Sequence, residues 1–268
     1  MMACISCLIL SDTHNEWPYS STDPAPKVDV FIHCGDLTQY GGFPSFKRAV
    51  DNINSVDAEL RLFIAGNHDV DIDSAWLHEF AEDEDDFEIG TKSLSLLKAQ
   101  TAHGTYYLEE GVHPFTLKDG RFFKVYATPY TPKFGDFAFL YGEVEDHFNV
   151  GTNAIPEGID IVISHGPPAF ASMPAYSLDV NREGQHCGCA KLAQALQRVR
   201  PKLCCFGHIH EGRGAVRIDW GAGTSEAIVG GANKIDISQF GKGDRTETVL
   251  VNAAVFREGK GWFVDVKL

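Results

Sequence analysis

The chain is poor in basic charge. Among its 268 residues, 23 Lys and Arg stand against 37 Asp and Glu, a formal net charge of −14. A partner gripped along a polyanionic backbone needs clustered cations, so a nucleic-acid polymer is not an expected partner. Long apolar runs are also lacking: none approaches the roughly 20 residues that cross a bilayer, and no membrane partner is expected. The opening Met1–Leu10 is apolar, but it has no basic n-region and no small-residue cleavage site. It reads as a first core strand, not as a signal peptide. Seven cysteines make an odd number, and several (Cys4, Cys7, Cys34, Cys204, Cys205) fall in strand-like runs. That pattern argues against a disulfide framework and for reduced, buried thiols in the cytoplasm. Cys187-Gly188-Cys189 has no second pair nearby, which removes a structural zinc site. No repeat and no linker divides the chain, so residues 1–268 are read as one domain, long enough to bury roughly 70–75% of its unfolded surface.

Present instead are compact apolar runs, each ending in a polar cluster. Cys4–Leu10, Val28–His33, Arg61–Ala65, Ile159–Ser164 and Leu203–Phe206 have the length and composition of strands buried on both faces. Between them, Phe43–Val56 places Phe46, Ala49, Val50 and Ile53 on one helical stripe. A second helix is expected over about Thr91–Ala102, and a third over Cys189–Val199, ended by Pro201. This alternation predicts a parallel sheet with helical crossovers. Thr105–Leu117, Arg121–Thr128, Ala215–Trp220, Thr246–Phe256 and Trp262–Lys267 read as antiparallel strands. The predicted fold is α/β, two mixed sheets face to face with helices outside. Glu82–Asp86 reads as a solvated loop or helix flank. Pro167–His186, Glu211–Arg213 and Gly221–Arg245 read as surface loops.

The polar clusters carry the chemistry. Asp12 and His14 alternate on an extended chain and so point the same way. In Cys34-Gly35-Asp36 the glycine allows a sharp turn, and the two oxygens of Asp36 suit a bridge between cations. Asn67 offers a carbonyl oxygen, His68 follows as a candidate proton donor, and Asp69 is expected to orient or electrostatically support it. His165 lies in Ser164-His165-Gly166-Pro167-Pro168. His208 and His210, two residues apart, can serve two cations separately. A lone Asp after a strand is more often an N-cap, and a lone histidine is more often an ordinary one, as expected for His78, His103, His113 and His147. His33 is expected to pack beside the site without binding metal. Joint occurrence in order reverses those odds for the motif residues. Two Asp, one Asn and four His can hold two divalent cations, about 3.5–4 Å apart, for metal-assisted hydrolysis.

Together these motifs resemble the calcineurin-like metallophosphoesterase superfamily, whose pattern is Asp-x-His, Gly-Asp, Gly-Asn-His-Asp or -Glu, a lone His, and Gly-His-x-His. The resemblance implies a four-layer α/β/β/α sandwich with metals at the strand ends. It implies that Asp12, His14 and His210 hold one metal and Asn67, His165 and His208 the other, with Asp36 bridging and His68 giving a proton to the leaving oxygen. Ser164–Pro168, Gly188-Cys189 with Gln197–Lys202, and Phe206–Gly212 are similar to the MPPED-type subgroup, whose animal members hydrolyse phosphodiesters, including cyclic nucleotides. Some of those members carry glycine in place of the residue matching His208; here the histidine is present. Protein phosphatases follow their Gly-Asp with Arg, whereas Leu37 stands here. The expected activity is therefore hydrolysis of a small phosphoester, with a diester such as a cyclic nucleotide favoured. The alternatives are a phosphomonoesterase or protein phosphatase, or a non-catalytic binding platform on the same fold. Mixed N/O ligands without thiolate suit Mn, Fe or Zn, and resemblance puts Mn first. Ligating histidines must be neutral, so activity should fall below about pH 6. Asn181, Arg182, His186 and Arg213 are candidate substrate contacts.

Overall fold

A computed structural model describes residues 4–142, 144–228, 234–236, 245–255 and 259–267. The chain lays down β1 (Cys4–Leu10), β2 (Val28–His33), α1 (Phe43–Asn54), β3 (Ala58–Phe63), α2 (Ser74–Phe80), α3 (Glu84–Lys98) and β4 (Thr105–Tyr107). It continues through β5 (Gly111–Thr116), β6 (Phe122–Thr128), β7 (Thr131–Pro132), β8 (Leu140–Tyr141), β9 (Ile161–Ser164), α4 (Ala190–Val199) and β10 (Leu203–Phe206). Last come β11 (Gly214–Asp219), β12 (Thr224–Ala227), β13 (Lys234–Asp236), β14 (Glu247–Asn252) and β15 (Trp262–Lys267).

One sheet has the order β13-β15-β1-β2-β3-β4, the other β12-β11-β14-β10-β9-β6-β5. The pairs β1–β2, β2–β3 and β3–β4 are parallel, as are β6–β9, β9–β10 and β10–β14. Antiparallel β15, β5 and β11 flank these parallel runs. Side chains alternate across each strand. Ile5, Cys7, Ile9, Val30, Ile32 and Leu62 of the first sheet therefore meet Val125, Ile161, Ile163, Cys205 and Val251 of the second in one core. Leu8, Leu10, Phe31 and Phe63 turn the other way, onto Phe46, Val50 and Ile53 of α1 and Leu97 of α3. On the far side Tyr126, Val162, Cys204, Phe206 and Leu250 pack on Leu192, Leu196 and Val199 of α4. The result is the expected α/β/β/α layering. Among the described residues no helix is long and apolar enough to cross a membrane.

The sequence reading needs correction at several ends. β3 starts three residues earlier than expected. α3 begins at Glu84 rather than near Thr91, because Asp83 caps it by accepting from the Asp85 amide at 2.9 Å, and Glu84, Asp85 and Asp86 fill its first turn. Acidic side chains there meet the positive end of the helix dipole, so the acidic run is a helix start. α2, capped by Asp73, was not expected. The stretch Gly221–Arg245, read as a loop, contains β12 and β13; its residues 229–233 and 237–244 lie outside the described residues. In the expected strand Thr246–Phe256, β14 ends at Asn252, and Phe256 lies outside the described residues.

Candidate metal centre

Five parallel strands end at one edge of the sandwich. Leu10 pairs with His33, and His33 with Phe63, so the turns after β1, β2 and β3 lie side by side. β9 and β10 end beside them in the second sheet. The chain must turn hard at each exit. Asp12 (φ 57°), His14 (φ 45°), Asp36 (φ 56°) and His208 (φ 67°) all adopt left-handed backbone. That conformation is uncommon outside glycine and persists where surroundings over-determine it. Here those surroundings are hydrogen bonds. Asp12 accepts from the His208 amide through both oxygens, at 3.1 and 2.9 Å, and Asp36 Oδ1 accepts from the His68 amide at 2.9 Å. Two motif glycines permit this closeness: a Cβ at Gly207 would lie 1.9 Å from Asp12 Oδ2, and one at Gly66 would lie 2.3 Å from Asp36 Oδ1.

The seven expected ligands converge. His210 Nε2 lies 3.2 Å from Asp12 Oδ1 and 3.4 Å from His14 Nε2. On the other side, Asn67 Oδ1 lies 2.8 Å from both His165 Nε2 and His208 Nδ1. Asp36 stands between, its Oδ2 3.6 Å from His14 Nε2 and its Oδ1 3.4 Å from His165 Nε2. Asp12, Asp36, Asn67 and His165 are essentially inaccessible, and His14 nearly so. Three overlapping groups have ligand atoms all within 4.8 Å of one another: Asp12, His14 and His210; His14, Asp36 and His68; and Asp12, Asp36 and His165.

The outer ring nitrogens fix the tautomers. His14 Nδ1 donates to the Thr38 carbonyl (3.2 Å) and His165 Nδ1 to the Cys34 carbonyl (2.8 Å). A carbonyl only accepts, so Nε2 of each ring is directed to the cluster, the arrangement that orients metal-bound histidines. The donor set of imidazole, carboxylate and amide oxygen, without thiolate, fits divalent Mn, Fe or Zn. Electrostatics agree. Burial alone would raise the Asp12 carboxyl, but the His210 hydrogen bond and the charges of His165, His210 and His14 hold it far below the usual range. Asp36 is likewise kept low against burial by His165. Burial, then the neighbouring His165, pushes His208 down to about 4, and burial lowers His14. His165 goes the other way, up to about 9, because Asp36 outweighs its burial.

Residues 5–212 match the calcineurin-like phosphoesterase family. The chain belongs to that family. Human metallophosphoesterase domain-containing protein 1 is 34% identical over 215 residues, covering 77% of this chain and 61% of that protein. The UPF0046 protein T07D4.2 of Caenorhabditis elegans is 30% identical over 228 residues, covering 79% and 51%. The chain thus spans about three fifths of the length of the first of these relatives. A solved crystal structure of 14% identity superposes with a TM-score of 0.58 over 98% of this chain and 95% of its own, a likeness of fold.

Within this calcineurin-like frame, Asp69 departs from expectation. It does not orient His68. Its oxygens accept from the amides of Gly66 (2.8 Å), Thr38 (2.9 Å) and Leu37 (3.2 Å) and from the Thr38 hydroxyl (2.9 Å). Buried and near Asp36, its carboxyl is raised to about 7. Asp69 staples the turns after β2 and β3 together, and the His68 ring is fixed instead by Nδ1 donating to the Gln39 carbonyl at 2.7 Å. His33 behaves as expected: fully buried, pushed down to about 3 by that burial, with Nε2 on the Thr13 hydroxyl at 3.1 Å.

The four candidate substrate contacts are engaged with protein. Asn181 Oδ1 accepts from the Glu183 and Gln185 amides and closes a turn. His186 Nδ1 meets the buried Asp179 at 2.7 Å. Arg182, largely exposed, reaches Glu211 at 3.5 Å. Arg213 donates to the Ala254 and Lys260 carbonyls and lies over the Trp262 ring. Asn252 was missed by the sequence reading. Its amide donates to the Ile209 carbonyl (2.8 Å) and to the Leu178 carbonyl (2.9 Å), bracing the His208–His210 turn. It too is a polar residue closing an apolar run, the signal that marked the other clusters.

Proposed function

We propose that the chain hydrolyses small phosphoesters, diesters such as cyclic nucleotides before monoesters, with two divalent cations, Mn first, in the strand-end cluster. The observation that carries this reading is the placement of Asp36, whose two oxygens face His14 and His165 on opposite sides. One cation would take Asp12, His14 and His210, the other Asn67, His165 and His208, with Asp36 shared. Such a pair supplies activation of water and withdrawal of charge from the phosphoryl oxygens. The protein supplies orientation and a proton. In the reaction a water oxygen forms the new bond to phosphorus and the ester P–O bond breaks. His68, as the imidazolium with its Nδ1–H held by the Gln39 carbonyl, would give its Nε2 proton to the leaving oxygen, and the proton of the attacking water would go to solvent. The shared core supports treating residues 1–268 as one catalytic unit, and seven free thiols support a cytoplasmic setting.

A screen of the Mn²⁺-loaded protein tests this. The substrates are p-nitrophenyl phosphate, its bis and phenylphosphonate esters, and 2′,3′- and 3′,5′-cyclic nucleotides. Diester turnover should exceed monoester turnover. Monoester turnover alone would overturn the diester assignment, and no turnover with both ions bound would overturn the enzyme.

A further inference from the structure

The segment between β7 and β8 is tied to the cluster. The Ala138 amide donates to the carbonyl of Asn67 at 3.1 Å, and the Phe139 amide to the Asp73 carboxylate at 2.7 Å. The Trp76 indole donates to the Asp136 carbonyl at 2.9 Å. This segment carries two rings. Phe134 and Phe137 stack with centroids 5.2 Å apart and planes at 28°. Phe137 lies 4.8 Å from the His68 ring, and Phe134 lies 5.0 Å from the His208 ring. His68 in turn contacts His14, and His208 contacts His165. The two phenylalanines therefore span from one side of the cluster to the other. Phe134 remains 38% exposed.

A single exposed apolar side chain is ordinary. Two stacked rings on a braced segment, in contact with the proposed proton donor and with a proposed ligand, are a different matter. Aromatic faces bind planar groups by offset stacking, and every nucleobase has such a face. We propose that Phe134 and Phe137 form a stacking wall for a planar aromatic substituent of the phosphoester, an aryl ring or a nucleobase, and so select such esters over alkyl ones. The proposal rests on the phosphoester reading above and names its substrate class.

Calorimetric titration of the Mn²⁺-loaded protein with phenylphosphonate and methylphosphonate tests it without turnover. Wild type should bind phenylphosphonate at least tenfold more tightly. Phe134→Ala and Phe137→Ala should reduce that preference to near unity and leave methylphosphonate affinity unchanged, which also reports an intact site. Phe134→Trp should keep the preference. Equal wild-type affinities, or variants that weaken both ligands alike as loss of mere shielding would, overturn the wall and leave the phosphoester reading standing. No binding of either phosphonate to the Mn²⁺-loaded protein overturns both.

Discussion

Among the described residues, two clusters bury histidine against carboxylate, and they differ in kind. His147 lies between Glu110 and Glu145, with Nε2 2.7 Å from Glu110 and Nδ1 3.0 Å from Glu145. Tyr141 stacks on its face at 5.1 Å. Glu110 also accepts from the Thr128 hydroxyl and the Asn153 amide. Burial pushes this imidazole down, but the two glutamates outweigh it and raise its pKa. That cluster is closed on itself, because both ring nitrogens already face a carboxylate. At the strand ends His14 instead turns nitrogen toward nitrogen, to His210, while backbone carbonyls hold the outer nitrogens of His14 and His165. The four rings there divide: burial lowers His14 and takes His208 down to about 4, whereas Asp36 raises His165 to about 9 and Asp12 raises His210. Four imidazoles gathered around buried Asp12 and Asp36, with ring nitrogens turned inward, are a ligand set. Buried polarity marks a binding site only where its geometry leaves charge for something else to balance.

The sharpest way to break this comparison is to remove one charge from each cluster. Asp36→Asn should lose both ions and reduce turnover by roughly a thousandfold or more, since it forfeits several kcal/mol of transition-state stabilisation. His147→Gln should keep metal content and turnover close to wild type. Elemental analysis and a turnover assay read both. An Asp36→Asn protein with full metal and activity would end the bridging assignment. The next effect is on stability. Mn²⁺ at 100 times its Kd should stabilise wild type by about 2.7 kcal/mol, and His147→Gln by the same amount. It should do little for Asp36→Asn. Denaturant titration with and without chelator measures this, and equal stabilisation of all three proteins would mean that the ion sits elsewhere.

Protons sharpen the contrast further. His165, raised to about 9, must give up its proton to bind a cation. Below that pH the ion held by Asn67, His165 and His208 displaces a proton, and Mn²⁺ affinity at that site should climb as much as tenfold per unit between pH 7 and 8. Competition from protons thus reaches well above the pH 6 limit expected from ordinary histidine. Titration in buffers of different ionisation enthalpy reports the released proton directly. Affinity that is flat with pH would show that the His165 ring of the metal-free protein is already neutral in this range.

Which parts of this were legible in the sequence follows from physical locality. The strand-end motifs were legible because a buried parallel strand is a continuous apolar run and its exit is a glycine turn followed by a polar side chain. α1 and α4 showed their stripes. α2 and the start of α3 did not, because caps at Asp73 and Asp83 define them more than apolar period does. β12 is mostly exposed at a sheet edge and has no core face to betray it. Adjacency misled at Asp69: the turn sends that carboxylate to backbone amides, away from the ring before it in sequence. The Phe134–Phe137 pair was invisible because its meaning depends on where a long connection folds back.

The smallest effect expected concerns His147 alone. Its folded pKa is raised above its ordinary value near 6.5, so the protonated ring favours the folded state. That contribution is complete below the unfolded pKa and disappears as pH rises through the folded one. Glu145 is half exposed and adds little; the pairing with Glu110 dominates. Replacing His147 with Gln should cost about 1–2 kcal/mol at pH 6, a gap in urea midpoints that narrows by pH 9. A gap that stays constant or widens would show that the imidazole is held neutral. His147 would then be a packed aromatic ring rather than its cluster's own cation, and the distinction between the two clusters would lose its electrostatic basis.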